Sequence, residues 1–105
     1  MKKLILSIMI FSFGISDVTN NLFMQGNQFI FDGKYGDAVQ SYESILELGY
    51  ENSDLYYNLG NAYYRMHHIG QAIWAYSNAL YLNPRNKDAL HNLSLANVRR
   101  VDRIE

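Results

Sequence analysis

Gly60 sits at the centre of a spaced series that leaves few folds open. Across residues 53 to 86 the chain reads Tyr56, Leu59, Gly60, Tyr63, then Ala72, Tyr76, Ala79 and a closing Pro84. Steps of three and four residues place each half of the series on one face of a helix. Gly60, Ala72 and Ala79 are small where two antiparallel helices would cross closest, and Tyr56, Tyr63 and Tyr76 fill the space on either side. Pro84 lacks an N–H and restricts the residue before it, so the second helix ends there. One such pair cannot bury its own apolar face, so neighbouring copies are expected.

The copies are found by a shift of 34 residues. Backwards, Gly60 maps to Gly26, Asn61 to Asn27, Tyr63 to Phe29, Ala72 to Ala38, Tyr76 to Tyr42 and Leu80 to Leu46. Forwards, Tyr56 maps to Leu90, Asn58 to Asn92, Leu59 to Leu93 and Gly60 to Ser94. This period and this set of slots resemble the tetratricopeptide repeat. The resemblance covers residues 19 to 104, as repeats at 19–52 and 53–86 and a partial third at 87–104. It implies an all-α solenoid of antiparallel helix pairs, about two and a half repeats and five helices. The first repeat carries Gln25, Ile45 and Tyr50 where the second has Leu59, Ala79 and Pro84. Its inner crossing is therefore expected to be looser.

The expected helices run from Thr19 or Asn20, as N-cap, to about residue 32, with Gly33 as the stop; then 35 to 48, 53 to 66 capped by Asn52 or Ser53, 69 to 82, and from 86–88 through Ile104. His67 and His68 occupy a turn where the repeat usually carries Gly. A left-handed backbone there costs a non-glycine residue about 1 kcal/mol.

Residues 1 to 16 read as an export signal. Lys2 and Lys3 precede an apolar stretch from Leu4 to Ile15, and Gly14 and Ser16 put small residues ahead of a cut before Asp17. The stretch is shorter than the about 20 apolar residues of a membrane span. The other reading of it is an uncleaved anchor. After cleavage, seven Lys and Arg would face ten Asp and Glu, a net charge of −3. The uncut chain has a net charge of −1 and no cysteine, which gives no electrostatic case for nucleic acid and excludes disulfides, thiol catalysis and thiolate zinc sites.

Catalytic motifs are missing from the sequence: there is no Gly-x-Ser-x-Gly elbow, phosphate loop or His-Glu-x-x-His. No active site, cofactor or small-molecule substrate is expected. Glu43 and Glu47 lie at i, i+4 and read as solvated charge. Asn92-Leu-Ser fits a glycosylation sequon but falls inside an expected helix. A metal site from His67, His68 and His91 is the third-ranked reading, disfavoured because adjacent histidines diverge.

Recognition by a surface remains. The family resemblance implies a concave groove faced by Phe23, Asn27, Ile30 and Phe31 of the first repeat, Tyr57, Asn61, Tyr64 and Arg65 of the second, and His91, Leu95 and Arg99 of the third. Their chemistry suits an extended peptide. Asn side chains grip backbone amides, tyrosines give area at low entropy, and Arg65 or Arg99 holds a carboxylate. Phe23 and Phe31 would alternatively pack within the superhelix, and Asn61 would alternatively bond between repeats. The family's chaperone-binding clamp needs basic residues where this chain has Phe23 and Asp88, so Asn27 and Asn58 alone do not make one.

A narrower likeness lies in Asn58-Leu-Gly-Asn-Ala-Tyr-Tyr-Arg, Gly70-Gln-Ala-Ile, Asn83-Pro-Arg-Asn-Lys-Asp-Ala-Leu-His-Asn-Leu and Val101-Asp-Arg-Ile-Glu. These resemble the tetratricopeptide protein of bacterial aerotolerance (Bat) operons. The resemblance implies export to the periplasm or the outer face of the inner membrane, and association with von Willebrand A-domain membrane proteins and a MoxR-type ATPase. Such proteins continue into a membrane helix and an SH3-like domain. The chain is therefore expected to be a fragment or a shortened relative, with membrane association through an uncleaved N-terminus or a missing C-terminal segment. The alternative to an adaptor is a structural module that self-associates through the partly covered Leu90, Leu93, Val98 and Val101.

Overall fold

The computed structural model describes residues 2–104, with side chains from residue 16 to residue 102. Five helices follow in order: α1 (Lys2–Phe31), α2 (Tyr35–Glu47), α3 (Ser53–Arg65), α4 (Ile69–Leu82) and α5 (Lys87–Ile104). Among the described residues there is no strand. The fold is all-α: α1 packs on α2 and α3 on α4 as hairpins, and α5 packs against α4 and α3.

The chief departure from expectation is the start of α1. Neither Thr19 nor Asn20 is an N-cap, because the helix runs unbroken through both. Residues 16 to 22 contain no Pro or Gly to stop it. Thr19 Oγ1 instead donates to the Ser16 carbonyl one turn back, at 2.9 Å. The export signal expected over residues 1–16 falls almost wholly outside the described side chains. Among the described residues, no helix is long and apolar enough to cross a membrane.

Repetition by one period governs the helix ends as well as the faces. Asn52 Oδ1 accepts from Leu55 N at 2.8 Å and starts α3, and Asn86 Oδ1 accepts from Ala89 N at 3.0 Å and starts α5. At the first hairpin turn Gly33 has φ 74°, Gly33 N donates to Ile30 O and Lys34 N to Phe29 O. His67 takes the same role in the second turn with φ 62°, as His67 N donates to Tyr64 O and His68 N to Tyr63 O. This is the two-bond closure that ends a helix on a left-handed residue, and at His67 it carries the cost expected for a side chain there.

Packing explains the small residues. Tyr42 and Tyr76 are fully buried, and each ring lies directly on a glycine of the preceding helix. A Cβ on Gly60 would stand 2.6 Å from the Tyr76 ring, and one on Gly26 would be at least as close to Tyr42. The looser crossing expected of the first repeat is therefore not found at its centre. Around the rings, Ala38, Leu55, Leu59, Ala62, Ala72 and Ala79 close the core.

Two polar contacts tie the repeats together away from that core. Ser53, buried at the start of α3, donates to the Ala79 carbonyl near the end of α4 at 2.8 Å and accepts from Asn86 Nδ2 at 2.9 Å. Glu43 also departs from expectation. It is half-buried and accepts the Tyr63 hydroxyl across the α2–α3 junction at 2.5 Å, so it is not simply solvated. On α5 the expected partial cover is seen: Leu90, Val98 and Val101 are each at least half exposed, while Leu93 packs on the core. Tyr56, one period before Leu90, is instead buried beside Trp74 of α4, with ring centroids 5.7 Å apart.

Gly60→Ala is expected to cost about 1–3 kcal/mol, since its methyl group must displace a buried ring. Gly70→Ala, with open space around the added carbon, is expected to gain about 0.5–1 kcal/mol from helix propensity. Thermal unfolding followed by circular dichroism compares them, and the reverse order would refute the account of the crossing.

Candidate functional site

The groove face is built from one polar unit used twice. Tyr42 projects from α2 over Gly26 and its hydroxyl donates to Asn27 Oδ1 at 2.6 Å. Asn58 Nδ2 of α3 donates to the same oxygen at 3.0 Å. One period on, Tyr76 of α4 donates to Asn61 Oδ1 at 2.6 Å, and Asn92 Nδ2 of α5 donates to it at 2.9 Å. Each Gly-Asn pair thus receives a ring from its own hairpin and an amide from the next repeat. Every such bond contributes about 1 kcal/mol net, and leaving a buried hydroxyl unpaired would cost more.

The inter-repeat bond weighed for Asn61 is present, and Asn27 makes the same one. These asparagines therefore cannot grip a peptide with both ends of the amide as first expected, because the oxygen is already occupied twice. A divided arrangement is left. Among the described residues, Asn27 Nδ2 and Asn61 Nδ2 remain as donors, and Asn58 Oδ1 and Asn92 Oδ1 as acceptors, with no bond inside the chain. These make two donor–acceptor pairs, one repeat apart, on residues that line the groove.

A cavity of about 300 Å³ lies between α1, α3 and α5. Ile30 lines it from α1, Asn61, Tyr64 and Arg65 from α3, and Asn92 and Leu95 from α5. Tyr35 and Tyr76 add their rings. A second cavity of about 220 Å³ is lined by Asn27, Ile30, Tyr42, Asn58 and Asn61. Ile30 and Asn61 belong to both, so the two form one furrow crossing the repeats. Among the described residues, neither has a carboxylate on its wall.

Several residues named from the sequence therefore meet here: Asn27, Ile30, Asn61, Tyr64, Arg65 and Leu95. Others stand apart from the furrow. Phe23 packs on Tyr42 with ring centroids 6.0 Å apart, as its alternative reading had it. Phe31 is exposed and His91 is exposed, and neither lines either of these two cavities. Tyr57 leans on Tyr76 at 6.2 Å, and its hydroxyl accepts from Asn92 Nδ2 at 3.4 Å, so it touches two residues of the wall without lining either cavity. Arg99 reaches the site indirectly, its guanidinium carbon 5.4 Å from the centroid of the Tyr64 ring. Arg65 is held likewise, 5.0 Å from the centroid of Tyr35. Tyr35, Tyr42, Tyr76, Asn58 and Asn92 were not among the expected groove residues. For four of them the signal was the coincidence of Asn58 with Asn92 and of Tyr42 with Tyr76 at one period, whereas Tyr35, with Ile69 one period on, carried none.

Asn27 and Asn58 are bonded to each other, Phe23 packs on the core and Asp88 is an exposed acid, so the two positions where the clamp needs a basic residue hold none. His68 stacks on Tyr63 with ring centroids 6.4 Å apart, and His67 Nδ1 lies 3.4 Å from Arg99 Nη2. Among the described residues no group of three or more His, Cys, Asp or Glu is placed to hold a metal.

Comparison with known families gives two matches. A family model described as TPR repeat matches residues 26–66, and one described as tetratricopeptide repeat matches residues 53–86. No curated protein matches the chain.

Burial pushes the Tyr42 hydroxyl up to about 12, with the Asn58 amide beside it pulling the other way. Burial also raises Tyr76, opposed by Asn92, and raises Tyr63, where the bond to Glu43 and its charge add to the effect. In the unfolded chain these groups lose their protons near the ordinary value of about 10. Above that pH the folded chain holds protons that the unfolded chain has released, so stability falls as pH rises. The melting temperature is expected to drop between about pH 10 and pH 12, and the Tyr42→Phe, Tyr76→Phe double variant to lose part of that drop. A melting temperature independent of pH over this window would contradict the burial of the two hydroxyls.

Proposed function

We propose, from the premise that residues 26–86 carry tetratricopeptide repeats, that the chain is a non-catalytic interaction module. It holds an extended peptide segment of a protein partner along the furrow between α1, α3 and α5. The observation that carries the reading is the pair of asparagine units one repeat apart. Each offers a donor on one asparagine and an acceptor on the next, which is what the C=O and N–H of an extended backbone require. Because tyrosine rings and inter-repeat bonds already fix these amides, little side-chain entropy remains to be lost on binding. Tyr64, Ile30 and Leu95 supply apolar contact beside them.

Selection from a displayed library of random decapeptides tests this reading. Leu95 is partly exposed on the wall of the larger cavity, and Leu95→Trp fills the furrow while leaving every asparagine in place. Peptides enriched on the unsubstituted chain are expected to bind the Trp variant at least about tenfold more weakly, a difference of about 1.4 kcal/mol. No enrichment, or equal binding by both proteins, overturns the groove reading.

The proposal extends to location and partner class. Lys2, Lys3 and the apolar stretch after them support export to the periplasm or the outer face of the inner membrane. The likeness over the C-terminal half supports a partner among von Willebrand A-domain membrane proteins of a bacterial aerotolerance-type complex. Residues 1–20 fused to a signal-less alkaline phosphatase should give active enzyme in a Gram-negative host, and an inactive, cytoplasmic fusion would remove the export arm.

A further inference from the structure

We infer that the end of the furrow between α3 and α5 is a carboxylate site, so that the bound segment places an Asp or Glu side chain, or its own C-terminal carboxylate, there. The inference rests on the groove reading above and names what that groove selects.

Arg65 and Arg99 stand one period apart on successive groove-lining helices. Each guanidinium is positioned over a tyrosine ring, Arg65 over Tyr35 at 5.0 Å and Arg99 over Tyr64 at 5.4 Å. Tyr35 and Tyr64 both line the larger cavity, as does Arg65 itself. A guanidinium held on a ring keeps its full charge and its planar set of N–H donors, while the ring restricts its motion. Arg65 on the cavity wall, and Arg99 held on the ring of another wall residue, can each present planar N–H donors to an anion at this end of the furrow.

No described carboxylate stands beside them in the chain's own groove. Among the described residues, the contacts of the two guanidiniums are the tyrosine rings and His67, with no carboxylate. Among the described residues, the two cavities have no acidic residue on their walls. The chain as a whole is mildly acidic, with net charge −1, and of its carboxylates Glu43 accepts the Tyr63 hydroxyl, Glu51 the Tyr56 hydroxyl and Asp32 the Gln28 amide. The positive end of the furrow therefore runs against the overall sign of the chain. Helix polarity accounts for Arg65, in the last turn of α3. It does not account for Arg99, which lies more than a turn before the end of α5 at Ile104. Ile30 and Leu95 on the same wall make the site partly apolar, which strengthens a charge pair and favours an aliphatic residue next to the acid.

The test uses the decapeptides enriched on the unsubstituted full chain. Each is synthesised in matched forms: acidic side chains intact or replaced by the corresponding amides, and the C-terminus free or amidated. Fluorescence anisotropy then measures binding to the unsubstituted chain, to Arg65→Gln with Arg99→Gln, and to Arg99→Lys. Loss of the decisive carboxylate should weaken binding at least about tenfold on the unsubstituted chain. The double variant should bind acid and amide forms alike. Arg99→Lys, with Arg65 still in place, should keep part of the preference, since it keeps charge and loses the planar donors. Which matched form loses affinity tells a side-chain carboxylate from a terminal one. Enriched peptides that lack a carboxylate, or acid and amide forms that bind equally while Leu95→Trp still weakens both, overturn this inference and leave the groove reading standing. A double variant that weakens both forms by the same factor overturns it too. Failure of any peptide to enrich removes both.

Discussion

A tyrosine ring resting on a glycine is the contact from which the rest of this molecule follows. Gly26 under Tyr42 and Gly60 under Tyr76 bring paired helices close enough for a buried hydroxyl to reach the residue after the glycine. That residue is an asparagine in both cases, and its oxygen then recruits the amide of the following repeat. A packing event inside one hairpin is thereby converted into a polar contact between hairpins. The coupling runs only to the next repeat, as in other stacked-repeat architectures.

Much of this was legible in the chain. The small residues, the aromatics and Pro84 announced the hairpins, and the shift of one period located their neighbours and most helix ends. The crossing of the first repeat was harder to read. Ile45 in the place of Ala79 suggested a loose fit, yet Ile45 is buried and Gly26 still admits the ring. The start of α1 was misread because a polar lead-in of Asp17, Thr19 and Asn20 looks like a cap, whereas an uninterrupted helix tolerates all three.

The groove was legible in outline and not in its wiring. Family position pointed to Asn27, Asn61, Tyr64 and Arg65, which do lie on the furrow. The same logic placed Phe23 there, although an aromatic at that point gains more from Tyr42 than from water. A linear pattern shows that two asparagines share a register. It does not show that one donates to the other, because that depends on how closely successive helices approach. The result is a binding face whose amides are already half used, and half-used amides are oriented ones.

The Ser53 junction bears on where the chain can change length. Three helix ends converge on one hydroxyl and one asparagine: the start of α3, the end of α4 and the start of α5. Extra residues between α4 and α5 would pull that knot apart, whereas the link at Gly49 and Tyr50 ends on exposed backbone with no side-chain bond of this kind. Natural insertions, engineered tags within the chain and circularly permuted ends should therefore be accommodated after α2 and refused after α4.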